Sequence, residues 1–142
     1  MDALTQDALE AGRHWLSHSN LRPTRQRLLL AALLKGDGED RHVTAEWLHD
    51  AARRSGDKVS LATVYNTLRA FTEAGLVQEI TVDGAGSIFD TRTDDHAHFY
   101  FEGDGALADA GSEGLTISNL PDVPDGMEVA KIDVVIRLRP KG

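Results

Sequence analysis

The stretch Ser60-Leu-Ala-Thr-Val-Tyr-Asn-Thr-Leu-Arg-Ala-Phe71 decides how the rest of the chain is read. Leu61, Val64, Leu68 and Phe71 recur at intervals of three and four, the spacing of one buried stripe on a helix. Ser60 precedes the run as a hydroxyl N-cap, and Gly75 follows as the residue able to take the left-handed conformation that ends a helix. At about 100° per residue, Ala62, Asn66, Arg69 and Glu73 fall opposite the stripe, with Tyr65 at its margin. A helix with a buried seam and an outward Tyr-Asn-Arg face is suited to reading a groove.

Upstream the pattern is helical. Leu4, Ala8, Ala11 and Trp15 keep helical spacing in a first helix predicted to end near Ser19-Asn20. Thr24, after Pro23, caps a second over Arg25 to Leu34, stopped by Gly36-Asp37-Gly38. Thr44 caps a third, with Trp47, Leu48, Ala51 and Ala52 expected inside and Gly56 at its end. Downstream, Leu76 to Val82 and Ser87 to Thr91 read as strands joined by Asp83-Gly84-Ala85-Gly86, a glycine-rich hairpin turn. Helices followed by a hairpin make a winged helix-turn-helix.

Arg92 to Asp95 is polar and reads as a hinge. Beyond it His96 to Glu102 is strand-like, and Glu128 to Arg139 alternates, with Ala130, Ile132, Val134, Ile136 and Leu138 forming an apolar face. Pro121 to Gly126 is turn material. The segment after the hinge is too short for a solid core of its own, so its strands are expected to pair with a second copy. The predicted class is α+β: a winged-helix DNA-binding domain at residues 1–92 and a small α/β dimerisation and sensing domain at 93–142.

Among 142 residues there is no cysteine, which excludes disulfides, thiolate zinc clusters, cysteine nucleophiles and cysteine-ligated haem. The apolar share of 41% suffices for a core, yet no run approaches the ~18 residues of a membrane span. Residues 1–15, MDALTQDALEAGRHW, lack the basic start and apolar stretch of a signal peptide, so a cytoplasmic protein is expected. The net charge of −8 argues against nucleic acid until its distribution is considered. Arg13 to Arg69 holds ten Lys/Arg against six Asp/Glu, whereas Thr93 onward holds four against ten. The half able to touch phosphate is basic and the other acidic.

His96 and His98 lie two apart in a predicted strand and share a face, a geometry able to grip one metal ion. His14 and His18, four apart on the first helix, read as a solvated face. Gly103-Asp-Gly105-Ala-Leu-Ala108 matches a dinucleotide fingerprint by letters, but Asp109-Ala-Gly111-Ser-Glu-Gly114 breaks the helix that should follow. No nucleophile–base pattern stands out, so an enzyme is not expected.

Three segments, Leu21-Arg-Pro-Thr-Arg-Gln-Arg27, His42-Val-Thr-Ala-Glu-Trp-Leu48 and Ser60-Leu-Ala-Thr-Val-Tyr-Asn-Thr-Leu68, together with Ser87-Ile-Phe-Asp90 and His96-Ala-His-Phe-Tyr-Phe101, resemble the ferric uptake regulator (Fur) family. The Asp94-Asp-His-Ala-His-Phe-Tyr-Phe-Glu102 string and the C-terminus from Val123 to Arg139 look most like its iron response regulator (Irr) branch. The resemblance implies a transcriptional regulator, mainly a repressor, of iron homeostasis and haem biosynthesis genes. It would bind double-stranded operator DNA as a homodimer when iron is scarce and release it when haem is abundant. By position in the family pattern, Tyr65 contacts a base, Arg22 reaches the minor groove, and Arg27, Ser60 and Thr63 contact phosphate. Asn66 stands where many relatives carry arginine, and asparagine pairs bidentately with adenine.

The same resemblance brings His42, Asp90 and Asp109 to His96 and His98 as ligands for a divalent ion, Zn(II), Fe(II) or Mn(II), with haem at His96 and His98 as the other implied ligand. Two features depart from the Irr pattern: Ala97 interrupts the histidine run, and a Cys-Pro haem motif is impossible. A second metal cluster, which would need ligands near Asp95 and Ala97 and a later histidine, is expected to be lost. The alternative within the family is a Fur-, Mur- or Zur-type regulator that senses a divalent ion directly, without haem.

Overall fold

Every helix begins at a hydroxyl that takes up a backbone N–H its first turn cannot satisfy. In the computed structural model, which describes residues 4–111 and 115–142, Thr5 accepts from the Ala8 N–H ahead of α1 (Gln6–Leu16). Thr24 does so from Arg27 ahead of α2 (Arg25–Lys35), Thr44 from Trp47 ahead of α3 (Ala45–Arg54), and Ser60 from Thr63 ahead of α4 (Leu61–Glu73). Each cap stabilises its helix by about 1 kcal/mol. The chain separates into two units, Met1–Thr93 and Asp94–Gly142. Met1–Ala3 of the opening segment and Ser112–Gly114 of the helix-breaking stretch lie outside the described residues.

In the first unit α2 is the central helix, buried without interruption from Leu29 to Leu34. The helix α1 crosses it at a glycine: a Cβ on Gly12 would lie 2.5 Å from the Ala32 nitrogen, so only glycine permits this approach. It ends at Leu16, earlier than the spacing predicts. Val64, Leu68 and Phe71 of α4 are fully buried as expected, and Gly75 closes the helix at φ +80°. The Leu76 N–H reaches back to Phe71 O and the Gly75 N–H to Thr72 O, the paired bonds of a Schellman end.

Two residues expected inside are not. Leu61 is 36% exposed and Trp47 38%. Both sit in the first turn of their helices, where the Cα–Cβ bond leans toward the N-terminus and carries the side chain past the core.

The wing is an antiparallel sheet of β1 (His42–Val43), β2 (Gln78–Val82) and β3 (Gly86–Asp90), in the order β1-β3-β2. Its turn sets Val82 opposite Gly86, with Gly84 and Gly86 at positive φ. Ile80, Val82, Ile88 and Phe89 are buried. Helices plus hairpin complete the winged helix-turn-helix.

The second unit is a sheet of β4 (His98–Phe101), β5 (Ala106–Asp109) and β6 (Val135–Leu138), in the order β5-β4-β6, with β4–β5 antiparallel and β4–β6 parallel. Its described residues contain strands and no helix. The alternation over 128–139 yields a strand only at Val135–Leu138, because β4 offers four partners, from His98 opposite Val135 to Phe101 opposite Leu138. Leu115, Ile117, Leu120, Met127, Val129 and Ile132 are all more than 40% exposed.

Candidate functional site

Strand register creates two His–Asp pairs. In the first unit β1 sets His42 directly opposite Asp90 of β3, so their side chains meet as cross-strand neighbours. His42 Nε2 lies 3.1 Å from Asp90 Oδ2, while Asp90 Oδ1 accepts the Arg92 N–H at 2.9 Å. Asp90 is 1% exposed, and a buried carboxylate persists only when such partners compensate its lost hydration.

The ends of these strands are clasped. The Arg41 N–H donates to Thr91 Oγ1 at 3.0 Å and the Thr91 N–H to Arg41 O at 3.2 Å, while the Thr91 hydroxyl donates to Asp40. The Arg41 guanidinium also caps the Leu33 and Leu34 carbonyls at the end of α2. No periodic signal marks this clasp in the sequence, and β1 is too short to show one.

In the second unit β4–β5 register sets His98 opposite Asp109, and His96, two residues earlier, falls on the same side. His96 Nε2 lies 2.9 Å and His98 Nε2 3.5 Å from Asp109 Oδ1, with the two rings 4.2 Å apart between centroids. His96 Nδ1 lies 2.6 Å from the Asp94 carbonyl. A neutral imidazole carries one N–H. With that hydrogen given to Asp94, Nε2 turns a lone pair toward the Asp109 carboxylate, an arrangement that a shared cation makes attractive. A histidine tethered through one nitrogen to a carbonyl and presenting the other is also how metal-binding histidines are held.

These donors fit a divalent ion. His96, His98 and Asp109 offer ligand atoms within 4.8 Å of one another, forming a His/Asp cluster able to coordinate one. Bonds of about 2.1 Å place adjacent ligands roughly 3.0–3.4 Å apart in octahedral or tetrahedral geometry, close to the spacings here. An all-nitrogen-and-oxygen set suits Zn(II), Fe(II) or Mn(II). The fit to haem is poorer. The His96 and His98 side chains are 0% and 4% exposed, and the groove beside His96 and Ala97 holds about 220 Å³, below the ~300 Å³ at which cofactor sites begin. His14 lies exposed on α1 and His18 exposed in the turn after it, their ring centroids 4.8 Å apart.

The expected nucleic-acid residues are all in the first unit. Arg22, Ser60, Tyr65 and Asn66 are exposed, and Arg27 and Thr63 half-buried. Arg27 Nη1 donates to Arg22 O at 3.0 Å, holding the turn before α2. Ser60 Oγ donates to Thr63 Oγ1 while accepting its N–H. One contact was not legible in the sequence: Tyr65 Oη donates to Glu46 Oε1 on α3 at 2.7 Å, and this bond raises the tyrosine's pKa above its ordinary value.

A model of the ferric uptake regulator family matches residues 18–119. The chain is 43% identical over 74 residues to the peroxide operon regulator of Bacillus subtilis (strain 168), covering 52% of this chain and 51% of that protein. It is 37% identical over 68 residues to the peroxide-responsive repressor PerR of Staphylococcus aureus (strain USA300), covering 48% and 46%. The chain thus spans about half the length of the curated relatives it matches. Among solved structures it resembles the ferric uptake regulator of Pseudomonas aeruginosa with manganese, at TM-score 0.66 and 25% identity over 92% of this chain and 98% of that one. The ferric uptake regulator of Vibrio cholerae shares the fold at TM-score 0.64 and 22% identity, over 90% and 98%. No helix among the described residues is long and apolar enough to cross a membrane.

Proposed function

Since the chain belongs to the ferric uptake regulator family, whose members are DNA-binding transcriptional regulators and not enzymes, we propose that it is a dimeric repressor whose grip on operator DNA is set by direct binding of a divalent ion. The observation carrying this reading is the Asp109 carboxylate shared between His96 and His98, with His96 Nδ1 held at the Asp94 carbonyl and its Nε2 facing Asp109. We assign His42, Asp90, His96, His98 and Asp109 together as the ligand set. A bound ion would supply the positive charge that two carboxylates and three imidazoles are arranged to receive. The protein's own part is to hold each donor: β1–β3 register presents His42 and Asp90, and β4–β5 register presents His98 and Asp109. Occupancy of this set would bias a two-state equilibrium of the DNA-binding surface.

For DNA, Tyr65 and Asn66 face the major groove from α4, Ser60 and Thr63 meet phosphate at its N-terminus, and Arg22 and Arg27 add backbone contacts. The donor set favours the ion over haem, so the haem signal expected from likeness to the Irr branch gives way to the direct-ion reading. Calorimetric titration with Mn(II), Zn(II) and, without oxygen, Fe(II) tests it. Stoichiometric uptake lost in His96→Ala, with no Soret band on adding haem, is the expected result. A Soret band that shifts in His96→Ala and His98→Ala, without ion uptake, would restore haem as the signal.

A second reading is favoured by the curated relatives, two of which are named for their response to peroxide. Under it, peroxide weakens operator binding by the Fe(II)-loaded protein and leaves the Zn(II)-loaded protein unaffected. Equal loss in both forms, or in neither, counts against it.

A further inference from the structure

The Tyr65–Glu46 bond joins the recognition helix to the helix before it, across 19 residues of sequence, on a face otherwise open to solvent. Tyr65 is 38% exposed, and Glu46 lies exposed in the first turn of α3. A phenol has one hydrogen to donate and lone pairs to accept with. Here the hydrogen is committed, because an ionised carboxylate can only accept. The tyrosine's resistance to ionisation has the same origin, the neighbouring carboxylate keeping the proton on the phenol. Toward a ligand on this face, Tyr65 can therefore offer oxygen lone pairs and an apolar ring, and Glu46 can offer only acceptors and a negative charge.

We propose that Glu46 is a positioning and specificity-determining residue for operator DNA: by holding the Tyr65 hydroxyl hydrogen it makes the pair an acceptor-only reader of amino-bearing base edges. In the major groove cytosine N4 and adenine N6 present donors, whereas guanine O6 and N7 and thymine O4 present acceptors. An acceptor-only pair gains a bond at the first two and faces lone-pair repulsion at the others. The Tyr65 ring remains available to a thymine methyl on the complementary strand. The Glu46 charge also disfavours close approach of phosphate, which weakens binding that does not align the pair with a base. Glu46 thus trades general affinity for discrimination. This inference rests on the DNA-binding reading and concerns how that surface chooses among sequences.

The test is selection from a randomised duplex library by the full-length protein loaded with Mn(II), comparing wild type, Glu46→Gln, Glu46→Ala and Tyr65→Phe. Wild type is expected to enrich adenine or cytosine at one position per half-site. Glu46→Ala frees the hydroxyl hydrogen and should lose that preference by about tenfold, the scale of one good base contact, while binding scrambled duplex more tightly. Glu46→Gln keeps an acceptor for the phenol but adds donors and removes the charge. It should retain part of the preference and bind scrambled duplex more tightly than wild type. In the Tyr65→Phe background, adding Glu46→Ala should change base preference little, because the pair is already broken.

A readout independent of DNA is the phenolate absorbance. Tyr65 should ionise at lower pH in Glu46→Ala than in wild type, which a merely structural surface residue would not cause. Identical base preferences and identical scrambled-duplex affinity in wild type, Glu46→Ala and Glu46→Gln would overturn the inference while leaving DNA binding intact. Failure of wild type to enrich any sequence would overturn the DNA-binding reading, and this inference with it.

Discussion

Asp109 is the side chain on which His96 and His98 of the second unit converge, and its neighbours make its role testable. Replacing it with alanine removes the oxygen 2.9 Å from His96 Nε2 but little packing, since the carboxyl is about one-third exposed. Asp109→Ala and His96→Ala should each lower affinity for Mn(II) or Zn(II) at least tenfold in calorimetric titration, with the melting temperature of ion-free Asp109→Ala nearly unchanged. Wild-type affinity in both variants would remove them from the ligand set. At Asp37 the expectation concerns acid. The Glu39 N–H, first, and then the Arg41 guanidinium hold its carboxyl below the ordinary carboxylate value. A lowered folded value means the contribution is complete above the ordinary carboxylate range and lost as pH falls through the folded value. The difference in melting temperature between wild type and Asp37→Asn should therefore narrow on acidification below that range, and a constant difference would contradict the assignment. His96 and His98 are legible in sequence because period two is a local property. Their alignment with Asp109, and that of His42 with Asp90, depends on register between distant segments, so only the family resemblance suggests it.

Among the elements, the helices were the most legible, for a physical reason: caps and apolar spacing act within a few residues. Thr24, Thr44 and Ser60 all cap as read. What escaped is non-local. The two-residue β1 exists because β3 offers it an edge, and β5 because β4 does. The alternation near the C-terminus overstates β6 because hydrophobic pattern records which face is buried, not how many partners are within reach. The crossing of α1 over α2 was likewise invisible, since Gly12 looks like a mere weak point in a helix until Ala32 lies against it. Gly12→Ala should therefore destabilise the protein by about 1–3 kcal/mol despite alanine's better helix propensity, measured by denaturant unfolding. An unchanged or raised stability would show that the helices can part without cost.

For the whole molecule, charge distribution says more than net charge. The overall −8 conceals a basic stretch from Arg13 to Arg69, carrying Arg22, Arg27 and the exposed side of α4, and an acidic remainder. The exposed apolar side chains of the second unit, from Leu115 to Ile136, exceed what its short strands can cover, and a second copy is the proposed cover. Each phosphate contact releases counterions, so DNA affinity should fall with salt at a log–log slope of about −0.9 per contact. The measurement that tests the account most directly is binding of library-selected duplex over a salt series, with Mn(II) and with the ion removed by chelator. The account predicts a steep negative slope and a clear loss of affinity without the ion, with His96→Ala staying at the ion-free affinity whether or not Mn(II) is present. Binding that ignores both salt and ion, or no binding to duplex DNA in either state, would contradict it.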